Sequence, residues 1–235
     1  MTSQALTIET ASEFRIYAAC LAAYNSGRLH GAWIDLEGKD ADAVQIEIND
    51  MLARSPCPNV MRRKCPDCGT YQTDARPYRE NSDDCDECGA TLPAEFKPSA
   101  EEWAIHDHEG LAQFIDSEWP DLAELCELVE ILADDDEDKR RGLLWLSWNQ
   151  PGYLRHAIDN CEDVITRPLN VMEDLSDVAA EWYGEAYSEA LESMPAIFRD
   201  NIDWKGIAHD LECNGDWREY HQGGERFAVL NANDC

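Results

Sequence analysis

The most regular hydrophobic pattern in the chain lies between Glu118 and Asn149. On a helical wheel of about 100° per residue, its apolar side chains gather on one side and its acidic side chains on the other. The apolar set is Leu122, Leu125, Cys126, Val129, Leu132 and Ala133, and the acidic set is Glu124, Glu127, Glu130 and Asp134. This separation predicts an amphipathic helix with an entirely acidic outer face. A run of five acids, Asp134 to Asp138, follows it, and the helical region is expected to continue to about Ile158.

A second acidic stripe is predicted on a helix from Asp174 to Met194, which Pro195 ends. Its acids recur every three or four residues and occupy about a third of the helix circumference. They are Asp174, Asp177, Glu181, Glu185, Glu189 and Glu192. Like charges four residues apart destabilise a helix by a few tenths of a kcal/mol, so surface helices usually include bases. This segment contains none, which indicates that its acids serve a partner and not only solvation.

The remaining periodicity predicts short strands and one more capped helix. Two strands, 14–21 and 29–36, are joined by a turn at 24–27, where Asn and Gly tolerate positive φ. Asp40 is a suitable N-cap for a helix from 40 to 53. Further strands are expected at 102–106 and 164–171, a short helix at 196–202, and a final hairpin from 219–221 and 226–230. Together these elements predict an α+β fold of small antiparallel sheets and helices.

Charge is distributed unevenly along the 235 residues, whose formal net charge is −30. Residues 99–235 hold nine bases and 33 acids, a net of −24, whereas residues 1–56 carry −4 and residues 57–98 carry −2. Such a surface repels nucleic acid and phospholipid and attracts basic clefts. No apolar run approaches the ~20 residues of a membrane span. Ten cysteines without a disulfide framework are typical of a reducing cytoplasm.

Two CxxC pairs form the most specific local motif, Cys65-Pro-Asp-Cys68-Gly and Cys85-Asp-Glu-Cys88-Gly, with sixteen residues between them. A glycine after each pair permits the tight turn that directs main-chain amides at sulfur. Four thiolates without histidine favour a closed, tetrahedral Zn²⁺ site of structural type. A redox dithiol and a rubredoxin-like iron site are the alternatives. A module of about 40 residues needs such an ion because its own core is too small.

The same module contains a basic cluster, which leaves a second interpretation open. Arg62, Arg63, Lys64, Arg76 and Arg79 lie there, so the module could be a zinc ribbon that contacts nucleic acid or takes part in transcription. His106-Asp-His108 lacks a third ligand at helical spacing, and we do not interpret it as a metal site. No nucleophile–base motif, P-loop or dinucleotide fingerprint supports a hydrolase or another enzyme, so no catalytic residue is predicted.

Four blocks of sequence resemble ArdA-type antirestriction proteins and follow the same order. They are RIYAACLAAYNSGRLHGAWIDL, EEWAIHDHEG, DVAAEWYGEAY and DWKGIAHDL, and the resemblance covers about residues 13–56 and 99–235. It implies a non-enzymatic protein of a mobile genetic element, acting in the bacterial cytoplasm. Such proteins mimic bent B-form DNA and occupy the DNA-binding cleft of type I restriction–modification enzymes. The two acidic stripes would then replace phosphates, and the acidic body would not bind DNA itself.

The resemblance also implies an elongated chain of three domains that forms a homodimer through the last one. Here the domains would span 1–113, 114–158 and 159–235, and the four-cysteine zinc module, 56–98, would interrupt the first where the family has a short loop. The expected dimer contacts are the aromatic residues Trp182, Tyr183, Tyr187 and Trp204. Nothing in the family pattern assigns a role to the module.

Overall fold

The computed structural model describes residues 13–73, 83–222 and 224–234. These residues form two compact units that divide between Ala133 and Asp134. Small antiparallel sheets and helices occur in both units, which confirms the α+β class. The division into three domains remains a prediction. No helix of the described residues is both long and apolar enough to cross a membrane.

The first unit is built around a three-stranded antiparallel sheet. In chain order its elements are β1 (Arg15–Cys20), α1 (Leu21–Asn25), β2 (Gly31–Asp35), α2 (Ala41–Leu52), β3 (Val60–Lys64), β4 (Tyr71–Thr73), β5 (Lys97–Ser99), β6 (Trp103–Glu109) and α3 (Leu122–Ala133). The sheet order is β2-β1-β6. Ile16, Ala18 and Cys20 alternate along β1 and are fully buried, because successive side chains of a strand point to opposite faces.

Helix α2 covers this sheet as its sequence pattern predicts. Asp40 caps the helix by accepting a hydrogen bond from the Ala43 amide at 2.8 Å. The buried face consists of Val44, Ile48, Met51 and Leu52. The predicted turn between β1 and β2 instead contains the short helix α1, followed by Gly27 at φ +73°. Leu, Ala and Ala at the start of α1 are good helix formers, and buried Ala23 anchors the helix.

Strand β6 contains a bulge that changes the direction of its side chains. Ala18 pairs with Ile105 and Tyr17 pairs with Asp107, so His106 is an extra residue without a partner in β1. His106 and Asp107 are consequently both exposed, although they are neighbours in a strand. The following segment returns to the strand, where the Ile105 amide donates a hydrogen bond to the Glu118 carbonyl at 2.9 Å.

Helix α3 packs against α2 with a buried face close to the predicted one. The buried residues are Leu125, Leu128, Val129 and Ile131. Leu128 and Ile131 were not expected there, whereas Leu122, Cys126 and Leu132 are half-buried and Ala133 is exposed. The buried face of α3 is therefore rotated about the helix axis relative to the predicted face. The reason is that the contact with α2 decides which side of the helix is buried.

The second unit consists of helices around another three-stranded sheet. Its elements are α4 (Glu137–Asn149), α5 (Leu154–Asn160), a 3-10 turn (Cys161–Asp163), β7 (Thr166–Pro168), α6 (Leu175–Ala186), α7 (Ser188–Ser193), α8 (Ala196–Arg199), α9 (Trp204–Asn214), β8 (Arg218–Gln222) and β9 (Glu225–Val229). The sheet order is β7-β9-β8, and β8 with β9 forms the predicted hairpin. Helices α6 and α9 pack together over a core that includes Val178, Ala208 and Trp217.

The single helix predicted from Asp174 to Met194 is wrong. Helix α6 ends at Ala186, Tyr187 leaves the helical conformation at φ −115° and ψ 25°, and α7 starts at Ser188. Gly184 weakens the last turn of α6. Helix α7 has no buried residue, so no tertiary packing holds it in line with α6.

Candidate metal centre and acidic surfaces

The two CxxC turns bring four sulfur atoms together in the first unit. Each turn is closed by main-chain bonds: the Cys65 amide donates to the Thr70 carbonyl and the Cys85 amide donates to the Ala90 carbonyl, both at 2.8 Å. Gly69 and Gly89 follow the turns at φ +78° and +74°, a conformation that favours glycine. The Sγ atoms of Cys65, Cys68, Cys85 and Cys88 all lie within 4.8 Å of one another. This confirms that the spacing assembles a four-cysteine cluster able to hold a metal ion.

The sulfur geometry fits a tetrahedral ion. Zn–S bonds of about 2.3 Å in a tetrahedron separate sulfur atoms by about 3.8 Å. The Sγ distances from Cys65 to Cys88 and from Cys68 to Cys85 are both 3.6 Å. Cys65 and Cys85 are buried with Leu92 in a small core, whereas Cys88 is exposed. The possible metal ligands therefore range from buried to exposed.

The described residues of the basic cluster contact other parts of the first unit. Strand β3 lies between β4 and β5, and its Arg62 donates to Asn49 Oδ1 at 3.2 Å and to the Glu101 carbonyl at 3.4 Å. Arg63 is only 5% exposed, with its guanidinium 4.7 Å from the centre of the Phe96 ring. Lys64 Nζ donates to the Asp50 carboxylate. These three residues of the cluster thus make internal contacts, and its other two members, Arg76 and Arg79, lie outside the described residues.

Asp50 on helix α2 connects the module to the rest of the unit. Its carboxylate accepts hydrogen bonds from Lys64 Nζ at 2.6 Å and from the Tyr71 hydroxyl at 2.7 Å. Burial would raise the pKa of Asp50, but these two hydrogen bonds lower it. Burial first, and the bond to Asp50 second, raise the pKa of Tyr71 to about 12. A carboxylate of the predicted first domain thus holds two residues of the module.

The acids around the first predicted stripe divide into two groups. Glu127 and Glu130 are exposed on α3, Glu124 is half-buried, and Asp134 is exposed after the helix ends. Three of the acids that follow have structural roles. Asp136 caps α4 by accepting from the amides of Asp138 and Lys139. Glu137 and Asp138 pair with the buried Arg141 at 3.0 and 2.6 Å.

The second stripe divides in a similar way. Asp174 and Asp177 form a capping box at the start of α6, each accepting a hydrogen bond from the main chain of the other. Glu181 forms an ion pair with Arg167. Glu185 on α6, with Glu189 and Glu192 on α7, is exposed. Within the described part of the chain these last three carboxylates form no ion pair.

The four aromatic residues proposed for a dimer contact lie in different surroundings. Tyr183 and Trp204 pack against the core of the second unit, and the Tyr183 ring stacks on Trp217 at 6.1 Å. Trp182 and Tyr187 are exposed. The short helix α8 adds Ile197 and Phe198, which are 72% and 65% exposed. Exposed apolar side chains therefore occur between α6 and α8, and only half of the proposed residues are among them.

A cleft in the first unit was not predicted from the sequence. It has a volume of about 640 Å³ and lies beside the bulge of β6. Its walls include Tyr24, His106, Asp107, Asp116, Glu118 and Trp119. The sequence His106-Asp107-His108 by itself suggested at most a pair of metal ligands. Among the described residues, only the four-cysteine cluster is grouped closely enough to hold a metal ion. The bulge that exposes two successive residues has no clear sequence signal.

Comparison with known proteins identifies one family. The family model described as "Antirestriction protein (ArdA)" matches residues 16–226. The matched range covers most of the chain and extends across the four-cysteine module. No curated protein matches the chain significantly.

Proposed function

The chain belongs to the ArdA family of antirestriction proteins, and on that premise we propose that it inhibits type I restriction–modification enzymes as a mimic of B-form DNA. Its exposed carboxylates take the place of phosphates in the basic DNA-binding cleft of the enzyme. Inhibition is then competitive with DNA and needs no catalytic group. The site of action is the bacterial cytoplasm, where restriction enzymes meet incoming mobile DNA.

The main support for this proposal is the excess of negative charge in the second unit. Residues 134–234 contain 23 acids and nine bases, so at least fourteen acids have no base to neutralise them within the unit. Seven of the nine bases already form ion pairs there, among them Arg140 with Glu225 and Arg226 with Glu219. The bases therefore do not form a competing positive surface.

The spacing of the exposed carboxylates is suited to a phosphate-binding groove. Successive acids on one face of a helix rise by about 4.5–6 Å. This is coarser than one charge per ~1.7 Å of axis in duplex DNA, but it is also a linear array. Glu189 and Glu192 follow this spacing in α7, and Glu127 and Glu130 follow it in α3, whereas Glu185 precedes the break between α6 and α7.

Displacement of DNA from the enzyme tests the proposal directly. A type I enzyme is bound to labelled duplex, and the protein is added at increasing concentration. We expect stoichiometric loss of the duplex from the enzyme, and no gel shift when the protein is mixed with duplex alone. Binding to the enzyme without loss of the duplex would contradict mimicry. A gel shift with plain duplex would favour the alternative of a zinc-ribbon nucleic-acid-binding protein, which the internal contacts of Arg62 and Arg63 count against.

We also propose that the four-cysteine cluster holds one Zn²⁺ per chain in a structural role. Sulfur ligation without histidine, closed on all four sides, is typical of structural zinc. Elemental analysis of the purified protein should give one equivalent of zinc and no visible chromophore. Iron with a visible absorption band, or no metal at all, would contradict this assignment.

We propose further that two chains associate through the exposed apolar side chains between α6 and α8. Sedimentation at micromolar concentration should show a dimer, and Phe198→Asp should shift it to monomer because the charge would be buried in the contact. Leu29→Asp is the matched control, since Leu29 is 92% exposed in the first unit. A monomeric native protein, or an equal effect of both substitutions, would contradict this contact.

A further inference from the structure

The cleft beside the bulge of β6 carries negative charge without a counter-charge. Asp107, Asp116 and Glu118 contribute to its walls, and no lysine or arginine does. Among the described residues, none of these three acids forms an ion pair. The next acid on the same strand, Glu109, is by contrast held by Arg15 at 2.6 Å. The cleft therefore retains a net charge that an occupant can neutralise.

Two aromatic rings stand at the cleft with their surfaces accessible. Trp119 is 59% exposed, yet its position is fixed because the indole N–H donates to the Trp103 carbonyl at 2.8 Å. Tyr24 is exposed as well and meets the His106 ring edge-on at a centroid distance of 4.9 Å. Both residues thus have defined contacts at the cleft and remain exposed.

The size of the cleft is that of a ligand site. Ligand sites are usually open cavities of about 300–1,000 Å³ with a few convergent polar groups. The volume of this cleft, about 640 Å³, lies within that range.

We infer that this cleft binds an organic cation, a guanidinium or primary ammonium group, with Tyr24 and Trp119 as its aromatic contacts. Aromatic faces attract cations through the ring quadrupole. Asp107, Asp116 and Glu118 supply the opposite charge, and guanidinium and ammonium groups donate the hydrogen bonds that carboxylates accept. An anionic or purely apolar ligand would meet three carboxylates without compensation.

Two sources can supply this cation. One is an arginine or lysine side chain from the DNA-binding cleft of the inhibited enzyme, which rests on the function proposed above. The other is a free polyamine, which does not depend on that function. The chemistry of recognition is the same in both, so the experiment uses a probe for each source.

Calorimetric titration of the full-length protein tests the inference. The probes are spermidine and an acetylated, amidated tri-arginine peptide. The cleft variant is Asp116→Asn with Glu118→Gln, and the matched control is Asp42→Asn with Glu95→Gln, which removes the same charge from exposed positions of the first unit outside the cleft. We expect saturable binding of at least one probe, at least fivefold weaker in the cleft variant and in Trp119→Leu, and less than twofold weaker in the control. Unchanged urea midpoints should accompany these effects.

The source of the cation follows from comparing the two probes and from measuring how well the cleft variant displaces DNA from the enzyme. If the peptide binds more tightly and the cleft variant displaces DNA from the enzyme less well, the cation belongs to the enzyme. If spermidine binds more tightly and DNA displacement is unchanged, it is a free polyamine. No saturable binding, or equal weakening in the cleft and control variants, would overturn the inference, whatever the protein does to restriction enzymes.

Discussion

At the scale of single residues, Gly142 shows how little space one close contact leaves. A Cβ atom at this position of helix α4 would lie 2.0 Å from the carbonyl oxygen of Cys161. We predict that Gly142→Ala destabilises the protein by about 1–3 kcal/mol or more, because the backbone of the 3-10 turn must move. This outweighs the ~1 kcal/mol that alanine gains over glycine in a helix.

Urea denaturation of the two glycine variants in α4 and α6 checks this prediction. Gly184→Ala is the matched control, because a Cβ there meets nothing within 4 Å. The control should be neutral or stabilising by up to ~1 kcal/mol. If Gly142→Ala were as stable as the control, the close approach of α4 to Cys161 would be incorrect.

Glu173 provides a pH-dependent contribution to stability. Hydrogen bonds from Arg167 first, and from the Asn170 amide second, lower the pKa of Glu173 to about 2. A carboxylate with a lowered folded-state pKa stabilises the protein above its unfolded pKa of about 4.3, and this contribution disappears as the pH falls towards 2. We expect the urea midpoint of Glu173→Gln to lie below the native one at pH 6 and to converge with it near pH 2.

Glu185→Gln serves as the control for this titration. Glu185 is exposed and forms no ion pair within the described part of the chain. Its substitution should leave the midpoint nearly the same across the pH range. An offset for Glu173→Gln that did not change between pH 6 and pH 2 would show that the Arg167 contact is not electrostatic.

At the scale of secondary-structure elements, the four-cysteine module is fastened to helix α2. Lys64 and Tyr71 bond to Asp50, Arg62 bonds to Asn49, and Gly69 packs beside Ile46. Metal binding supplies much of the folding free energy of such a module. We therefore predict that chelation, or Cys65→Ser, increases amide hydrogen exchange in the module and also in α2.

The exchange measurement has an internal reference. Amides of residues 134–234 should be unchanged, because that unit folds around its own core. Cys213→Ser, which removes an exposed thiol from the second unit, is the control variant and should have no effect on α2. Unchanged protection of α2 after metal loss would show that the module folds independently of the helix.

The divided acidic stripe on α6 and α7 predicts two classes of variant. Each exposed carboxylate contributes ~0.2–1 kcal/mol against a basic partner. Replacing Glu185, Glu189 and Glu192 together by glutamine should weaken DNA displacement by the sum, roughly 0.6–3 kcal/mol, with an unchanged circular dichroism spectrum. Asp174→Asn with Asp177→Asn should instead lower the thermal midpoint, because the capping box is lost. Normal inhibition by the triple variant would show that these three carboxylates do not contribute to the mimicry of DNA.

At the scale of the whole molecule, the net charge of −30 determines how inhibition depends on salt. DNA gains affinity by releasing condensed counterions, with a slope near −0.9 per phosphate neutralised. A helix with one carboxylate per ~5 Å condenses fewer ions than a duplex. We predict a shallower slope for the protein than for DNA on the same enzyme, so its advantage grows with ionic strength.

Dissociation constants of both ligands, measured on one enzyme between about 50 and 200 mM salt, decide this point. The triple glutamine variant should have a still shallower slope than the native protein. A slope for the protein as steep as that of DNA would contradict mimicry by an array of lower charge density.

The sequence by itself determined the features that depend on neighbouring residues. The four-cysteine cluster was predictable because each CxxC turn is closed within a few residues by its own glycine and main-chain bonds. The cap at Asp40, the buried face of α2 and the final hairpin were predictable for the same reason. Total charge is independent of folding, and the four ordered blocks are sufficient to identify the family.

Only the tertiary structure decided which charges are available. Glu181 and Asp138 lie in acidic stretches of sequence, but Arg167 and Arg141 pair with them. Arg62 belongs to a basic cluster in the sequence, yet it turns towards α2 and the Glu101 carbonyl. The break between α6 and α7 and the cleft beside the β6 bulge likewise depend on packing and on strand register. Contacts between residues far apart in the chain are fixed by the whole fold, and no local pattern of residues specifies them.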